Sequence, residues 1–392
     1  MRILMLSWEY PPRIVGGISR HVYFLSRALT LEGCEVHVVT LDFPGKPIYE
    51  VEDGVHIHRV PVEIGASNFY IWVALFNHFF EKRIGYIAYN FGRPDIVHSH
   101  DWLTALSSIS AKHMLRVPLV ATFHSTERGR SQGLTTPESY MIDSIEWWVS
   151  YEASIILTVS SHMRDELIHW FKLPEDKVYV IYNGVDPSVF DIKVDRDSIR
   201  GRLNVKPWEK LIVSVGRMSY QKGFHILLQA MSIVIRKHPE AKLILVGDGY
   251  MRGELEKQAS DLGLSEHVIF TGFVDDDNLK AILRSADIMV VSSLYEPFGI
   301  VALEGMASGL PIVVSATGGL KEIVEHEVDG LWAYPGDPNS LASCIERLLE
   351  DQDLASKLRW NAVVKAKRFD WRNIAKKVLE AYGEAGRRAR FQ

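Results

Sequence analysis

Only two of the 392 residues are cysteine, Cys34 and Cys344, far apart and without metal-type spacing. That excludes a disulfide framework and a cysteine-based zinc site, and it makes a reducing, cytoplasmic compartment the expectation. A basic excess is also missing. Lys and Arg number 44 against 49 Asp and Glu, a net charge of −5 that argues against nucleic acid as a partner. No run of about 18 apolar residues is present to cross a bilayer. The apolar run around Ile3–Leu6 stops at Glu9, too short for a signal peptide. Short internal repeats and low-complexity segments are absent as well. What remains has the composition of a soluble globular chain long enough for two domains.

Hydrophobic periodicity then supplies an architecture. Arg2–Ser7 reads as a strand. A loop closed by Gly16-Gly17 leads to a helix with Ile18, Val22, Leu25 and Leu29 on one face, Gly33 stops it, and Glu35–Thr40 is the next strand. This βαβ pattern recurs through strands at 55–60, 95–98, 118–123, 154–159 and 178–181, with helices at 103–115 and 162–171. Asn183-Gly184-Val185-Asp186-Pro187 is a turn-rich break. A second series has strands at 211–216, 242–246, 268–272, 288–291 and 312–315. Its helix over 224–237 carries Phe224, Leu227, Leu228, Met231 and Ile235 on one stripe. Two such runs predict an α/β chain of two doubly wound, Rossmann-like parallel sheets, residues 1–188 and 189–370, followed by a terminal helix over 371–392. Ligands sit at strand carboxyl ends in these sheets, so two sets of strand ends are expected to face each other across a cleft. The aromatic stretch 69–89 reads first as an amphipathic helix packed on the first domain. A peripheral contact with a membrane or an acceptor is the alternative.

The chemistry concentrates in Ser292–Gly305. The apolar run Ile288–Val291 leads into a turn holding Glu296, and Pro297 suits the first turn of a helix. A helix starting there points free N–H groups and a positive dipole end at the strand terminus, which favours a phosphate. Glu296 reads as a clamp for sugar hydroxyls beside it. If helix runs from Glu296 to Glu304, the two carboxyls are about 12 Å apart, too far for a retaining hydrolase pair. Gly216-Arg217-Met218-Ser219-Tyr220-Gln221-Lys222-Gly223 follows another strand, and its two cations suit a diphosphate, with a solvated turn as the alternative. Gly16-Gly17 admits either an anion at its amides or a plain turn, and so does Thr317-Gly318-Gly319. Gly247-Asp248-Gly249 lacks the third glycine of a dinucleotide fingerprint. His124 ends an apolar strand and reads as a donor to a substrate hydroxyl or as a structural histidine. In His98-Ser99-His100-Asp101-Trp102, the two histidines share a strand face without an evident third metal ligand. Asp101 is taken as a sugar-hydroxyl acceptor beside Trp102.

These residues resemble the retaining glycosyltransferases of the GT-B fold, glycosyltransferase family 4 with its glycogen and starch synthase relatives. The resemblance spans essentially the whole chain. Glu296-Pro297-Phe298-Gly299-Ile300 with Glu304 eight residues after Glu296 is its most specific part. The Arg217-to-Lys222 spacing, Gly16-Gly17, Asn183–Asp186 and Phe369-Asp370-Trp371 also match. The resemblance implies that Arg217 and Lys222, beside Gly216, hold the diphosphate of a nucleotide sugar. It places Gly17 against the distal phosphate or the sugar, Glu296 on donor sugar hydroxyls with Phe298, Gly299 and Ile300 beside it, and Glu304 on the ribose. His124 would contact the sugar near the reacting carbon, and backbone at Thr271, Phe273 and Val274 would touch the base. It also implies that the last helix returns to the first domain. With two basic side chains to neutralise the diphosphate, neither a metal nor a cofactor is expected. His100-Asp101-Trp102 looks like the His-Asp-Trp of glycogen and starch synthases, which points to glucose as the sugar, from ADP-glucose or UDP-glucose, and to an α-glucan acceptor. Ile14 stands where those synthases carry lysine, and the chain is shorter than bacterial glycogen synthases. A small-sugar or lipid acceptor therefore stays open, and so does a nucleotide-sugar 2-epimerase, which shares the fold and the donors.

Overall fold

The computed structural model describes residues 1–389, so residues 390–392 of the expected terminal helix lie outside the described residues. The chain divides into two compact units: Met1–Gly184 with the chain from Trp371 onward, and Val185–Asp370. The first boundary falls at Gly184 rather than at residue 188. Val185 bridges Asp370 and donates its N–H to the Phe369 carbonyl, so it is held within the second unit.

The first unit is built on eight strands: β1 (Arg2–Leu6), β2 (Glu35–Leu41), β3 (Tyr49–Glu52), β4 (Val55–Val60), β5 (Ile96–His100), β6 (Leu119–Phe123), β7 (Ile155–Thr158) and β8 (Val178–Val180). Their order is β3-β4-β2-β1-β5-β6-β7-β8, so the winding reverses between β1 and β5. All pairs are parallel except β3–β4, a hairpin turned by Asp53-Gly54 with both residues at positive φ. The periodicity missed β3 because its residues are largely exposed and carry no apolar run, although the Asp-Gly pair was a legible turn signal. Helix Gly17–Leu31 buries Val22, Leu25 and Leu29 in the same core as Ile374, Val378, Ala381 and Tyr382 of helix Trp371–Ala389. Helix Phe69–Asn90 buries Val73, Phe76, Phe80, Ile84 and Ile87 against β2 and β4, and leaves Phe69, Ile71, Tyr86 and Tyr89 exposed. Helix Pro137–Glu152 was not expected. It starts at a capping box in which the Thr136 and Ser139 side chains each satisfy the other's backbone N–H.

The second unit has six parallel strands: β9 (Lys210–Val215), β10 (Ala241–Val246), β11 (Val268–Gly272), β12 (Ile288–Val291), β13 (Ile312–Ser315) and β14 (Leu331–Ala333). Their order is β11-β10-β9-β12-β13-β14, with the reversal between β9 and β12. Strand β14, three residues long, escaped the sequence pattern. The helix starting at Phe224 ends at Val234, with Ile235 as its cap. Among the described residues, no helix is long and apolar enough to cross a membrane.

One face of the first sheet is polar. His37 on β2 lies opposite His56 on β4, and His58 lies two residues further on the same face. His37 Nδ1 meets His58 Nε2 at 3.0 Å, and His37 Nε2 meets Glu35 Oε1 at 2.9 Å. The Arg2 guanidinium grips both oxygens of Glu35 and, by that hydrogen bond above all, holds its carboxyl down at about 2. Burial, reinforced by the neighbouring His37, pushes His58 down to about 3. The unfolded chain takes up a proton on this residue near pH 6.5 while the folded chain does not, so stability is lost as pH falls from 6.5 toward 3. The urea midpoint of the wild type should therefore drop between pH 7 and pH 5. His58→Gln should flatten that slope by up to about 1.4 kcal/mol per pH unit. Parallel slopes for the two proteins would refute the assignment.

Candidate active site

In the second unit, the loops that follow β9 and β12 diverge where the strand order reverses, the place at which open parallel sheets bind ligands. Three loops meet there because glycines let their backbones touch. Gly223 has φ +64°, and a Cβ on it would strike the Ser292 carbonyl. A Cβ on Gly247 would strike the carbonyl of Gly216, whose own N–H donates to Val246. Ser292 Oγ donates to the Lys222 carbonyl at 3.0 Å, and Leu294 N–H donates to the Gln221 carbonyl at 2.7 Å.

This contact aims two side chains at each other. Lys222 Nζ donates to Glu296 Oε2 at 2.7 Å, and Ser293 Oγ donates to the same oxygen at 2.9 Å. The Glu296 backbone carbonyl accepts from Gly319 N–H at 3.0 Å, which ties in the loop after β13. Arg217, on the β9 loop, is exposed. The site thus joins a lysine, a carboxylate held by Lys222 and Ser293, and the start of a helix that no side chain caps. A diphosphate suits the cation and helix end, and a polyol suits the carboxylate.

Several sequence expectations need correction. The helix begins at Ile300, not at Pro297, because Gly299 at φ +107° turns the chain out of the helical path. Glu296 and Glu304 are consequently not on one continuous helix, and the 12 Å rise does not set their separation. Glu304 is buried on that helix. Phe298 is also buried, its ring 6.3 Å from that of Phe369, so its side chain belongs to the core. Ile300 is half-buried. Thr271 Oγ1 donates to the Gly272 carbonyl at 2.8 Å, Phe273 beyond β11 is exposed, and Val274 is half-buried. The β11 end reaches the same loops through Gly247 N–H, which donates to the Gly272 carbonyl.

In the first unit, the Gly16 amide is already engaged. It donates to Glu9 Oε2 at 2.8 Å, as does Val15 at 2.6 Å, so a buried internal carboxylate takes the place expected of a ligand anion. Gly17 opens helix Gly17–Leu31, which no side chain caps. Asp101 does not present itself to a sugar. It is buried, its Oδ1 accepts the His124 N–H at 2.6 Å, and burial pushes its carboxyl up to about 6. It therefore anchors the backbone that carries His124. The His124 ring contacts His100, with Nε2 3.1 Å from Nδ1, and burial holds both well below the ordinary range. His98 is committed to Tyr382 and Thr122 at 2.7 and 2.6 Å. The sequence reading missed Glu9 and His21. His21 was findable, since it lies three residues after Ile18 and four before Leu25, on the buried stripe.

With this geometry in hand, the comparisons are specific. Residues 195–365 match the family described as "Glycosyl transferases group 1", and residues 15–189 match "Glycosyltransferase Family 4". The chain is 42% identical to an uncharacterized glycosyltransferase of Methanocaldococcus jannaschii, covering 97% of this chain and 98% of the relative. It is 34% identical to a glycogen synthase of Mycobacterium tuberculosis, covering 99% and 95%. Among solved structures, sucrose-phosphate synthase from Thermosynechococcus elongatus superposes with a TM-score of 0.83 at 25% identity, covering 97% and 98%.

The backbone contact at Gly223 makes a direct prediction. Gly223→Ala adds both a strained φ and a clash with Ser292, so it should lower unfolding free energy by about 1–3 kcal/mol. Thermal denaturation checks this, and an unchanged melting temperature would show that the loops need not touch.

Proposed function

Because this chain belongs to glycosyltransferase family 4 and is a nucleotide-sugar-dependent transferase of GT-B fold, we propose that it moves glucose from a nucleoside diphosphate to an α-glucan. The observation that supports the donor half best is the Lys222–Glu296 pair at the reversal point of the second sheet. The pair neutralises both groups in the free protein. On donor binding, Lys222 and Arg217 take the diphosphate and Glu296 takes the hexose hydroxyls. Glu304 is assigned to the ribose and the strand end at Thr271–Val274 to the base.

The reaction breaks the anomeric C–O bond, and the electron pair leaves with the diphosphate. The acceptor oxygen forms the new bond and loses its proton. Negative charge grows on the leaving group while the sugar gains oxocarbenium character. Preorganised cations and the uncapped helix at Ile300 lower the barrier by favouring that charge. His124 is assigned to the donor sugar, with Asp101 positioning its backbone. Retention of configuration and the acceptor-side role of the first unit follow from the family resemblance. The glucan acceptor is supported by His100-Asp101-Trp102 and by the identity with a glycogen synthase.

Nucleotide diphosphate release, followed over a panel of nucleotide sugars with glycogen, small-sugar and lipid acceptors, tests the assignment. Turnover with a glucosyl donor and glycogen is expected, and turnover only with a non-glucan acceptor would replace the α-glucan. Conversion of the donor without any acceptor would make the protein an epimerase. Lys222→Ala should lower turnover by about 100-fold or more while leaving the melting temperature near that of the wild type. Near-normal turnover in that variant would remove Lys222 from the mechanism. Two basic side chains take the part of a metal here, so full activity is expected in excess chelator.

A further inference from the structure

The first unit contains a cluster of histidines that the transfer reaction does not use as a group. His21 comes from helix Gly17–Leu31, His100 is the last residue of β5, and His124 follows β6. The ring centroids lie 4.5 Å apart for His21 and His124, 5.3 Å for His21 and His100, and 5.4 Å for His100 and His124. One nitrogen from each ring lies within 4.8 Å of the other two.

Two features bear on what this cluster can hold. Nε2 of His21 and Nε2 of His100 are both buried and have no hydrogen-bond partner. Leaving such atoms unsatisfied is costly, and native proteins rarely do so without a use for them. His21 is also oriented from behind. Its Nδ1 meets Asn183 Oδ1 at 2.6 Å, and because that oxygen can only accept, the proton sits on Nδ1 and the lone pair on Nε2. An imidazole held by a carbonyl through its far nitrogen is the usual arrangement behind a metal ligand. His98, by contrast, spends both nitrogens on Tyr382 and Thr122 and has none to offer.

We propose that His21, His100 and His124 form a binding site for Zn²⁺, with its fourth position open to water. Three neutral nitrogens and no carboxylate select a borderline cation over Mg²⁺ or Ca²⁺. Burial disfavours the charged form of all three imidazoles. Tetrahedral ligation needs nitrogens roughly 3.4 Å apart, so small ring rotations close the present triangle. His124 is the partly exposed member and gives the ion its way in. Ligation takes the His124 ring away from the sugar, so Zn²⁺ inhibits transfer. This last consequence rests on the role assigned to His124 above, whereas the site itself does not.

The test uses untagged, chelator-treated full-length protein titrated with Co²⁺ and then Zn²⁺. One equivalent of Co²⁺ with a tetrahedral absorption band, displaced by Zn²⁺ and unaffected by Mg²⁺, is expected. His21→Gln and His100→Gln, each checked for folding by circular dichroism, should weaken binding on the order of 100-fold. Absence of the band in folded wild type, or equal binding by both variants, would overturn the site. Zn²⁺ should abolish turnover and chelator should restore it. Stoichiometric binding with unchanged turnover would uphold the site and refute the catalytic reading of His124.

Discussion

A lysine and a glutamate 74 residues apart hold each other across the reversal point of the second sheet. Most of what is particular about the neighbouring loops serves that encounter. Lys222 can reach Glu296 only because the backbone at Gly223 lies against Ser292, and that approach leaves no room for a side chain. Glu296 stays in place because Ser293 and Gly319 bind its side chain and its carbonyl. The pair itself is partly exposed, so its contribution to stability is small. Its value lies in arrangement. Each partner holds the other in place, and an anion with a polyol attached can take both over without leaving either group stranded.

The first unit follows a different economy. It buries several imidazoles, and burial disfavours their charged form. On the polar face of β2 and β4, His37 is bonded to Glu35 and His56 to Tyr49, and His98 is bonded to Tyr382 from the terminal helix. Around His21 and His100 the network ends in unsatisfied Nε2 atoms, as it also does at His58 Nδ1 on the polar face.

Much of the fold was legible because its buried strands carry apolar runs or alternating apolar residues, and four of them match the expected bounds residue for residue: 55–60, 268–272, 288–291 and 312–315. The losses have physical causes. Strand Tyr49–Glu52 is an exposed edge and carries no apolar signature. Proline before Phe298 suggested a helix start, but the αL geometry of Gly299 decided otherwise. In the site, the family resemblance put Lys222 and Glu296 on one donor, and the two side chains meet at 2.7 Å. Residue type and order along the chain could not show that Glu9 already fills the Gly16 amide or that Asp101 turns inward to the His124 backbone. Those are contacts between distant segments, and local pattern carries no trace of them.

The terminal helix Trp371–Ala389 supplies Ile374, Val378 and Tyr382 to a core whose other members come from the start of the chain. During synthesis on the ribosome, the strands of the first unit therefore emerge before residues 371–389 and lack part of their interior until that helix follows. The intervening unit, Val185–Asp370, is continuous and has all its strands available earlier. Domains generally fold as units when their residues are present, so the order of maturation runs opposite to the order of emergence. A nascent chain stalled before Trp371 would expose the apolar bed of that helix and offer chaperones a binding surface that the finished protein hides.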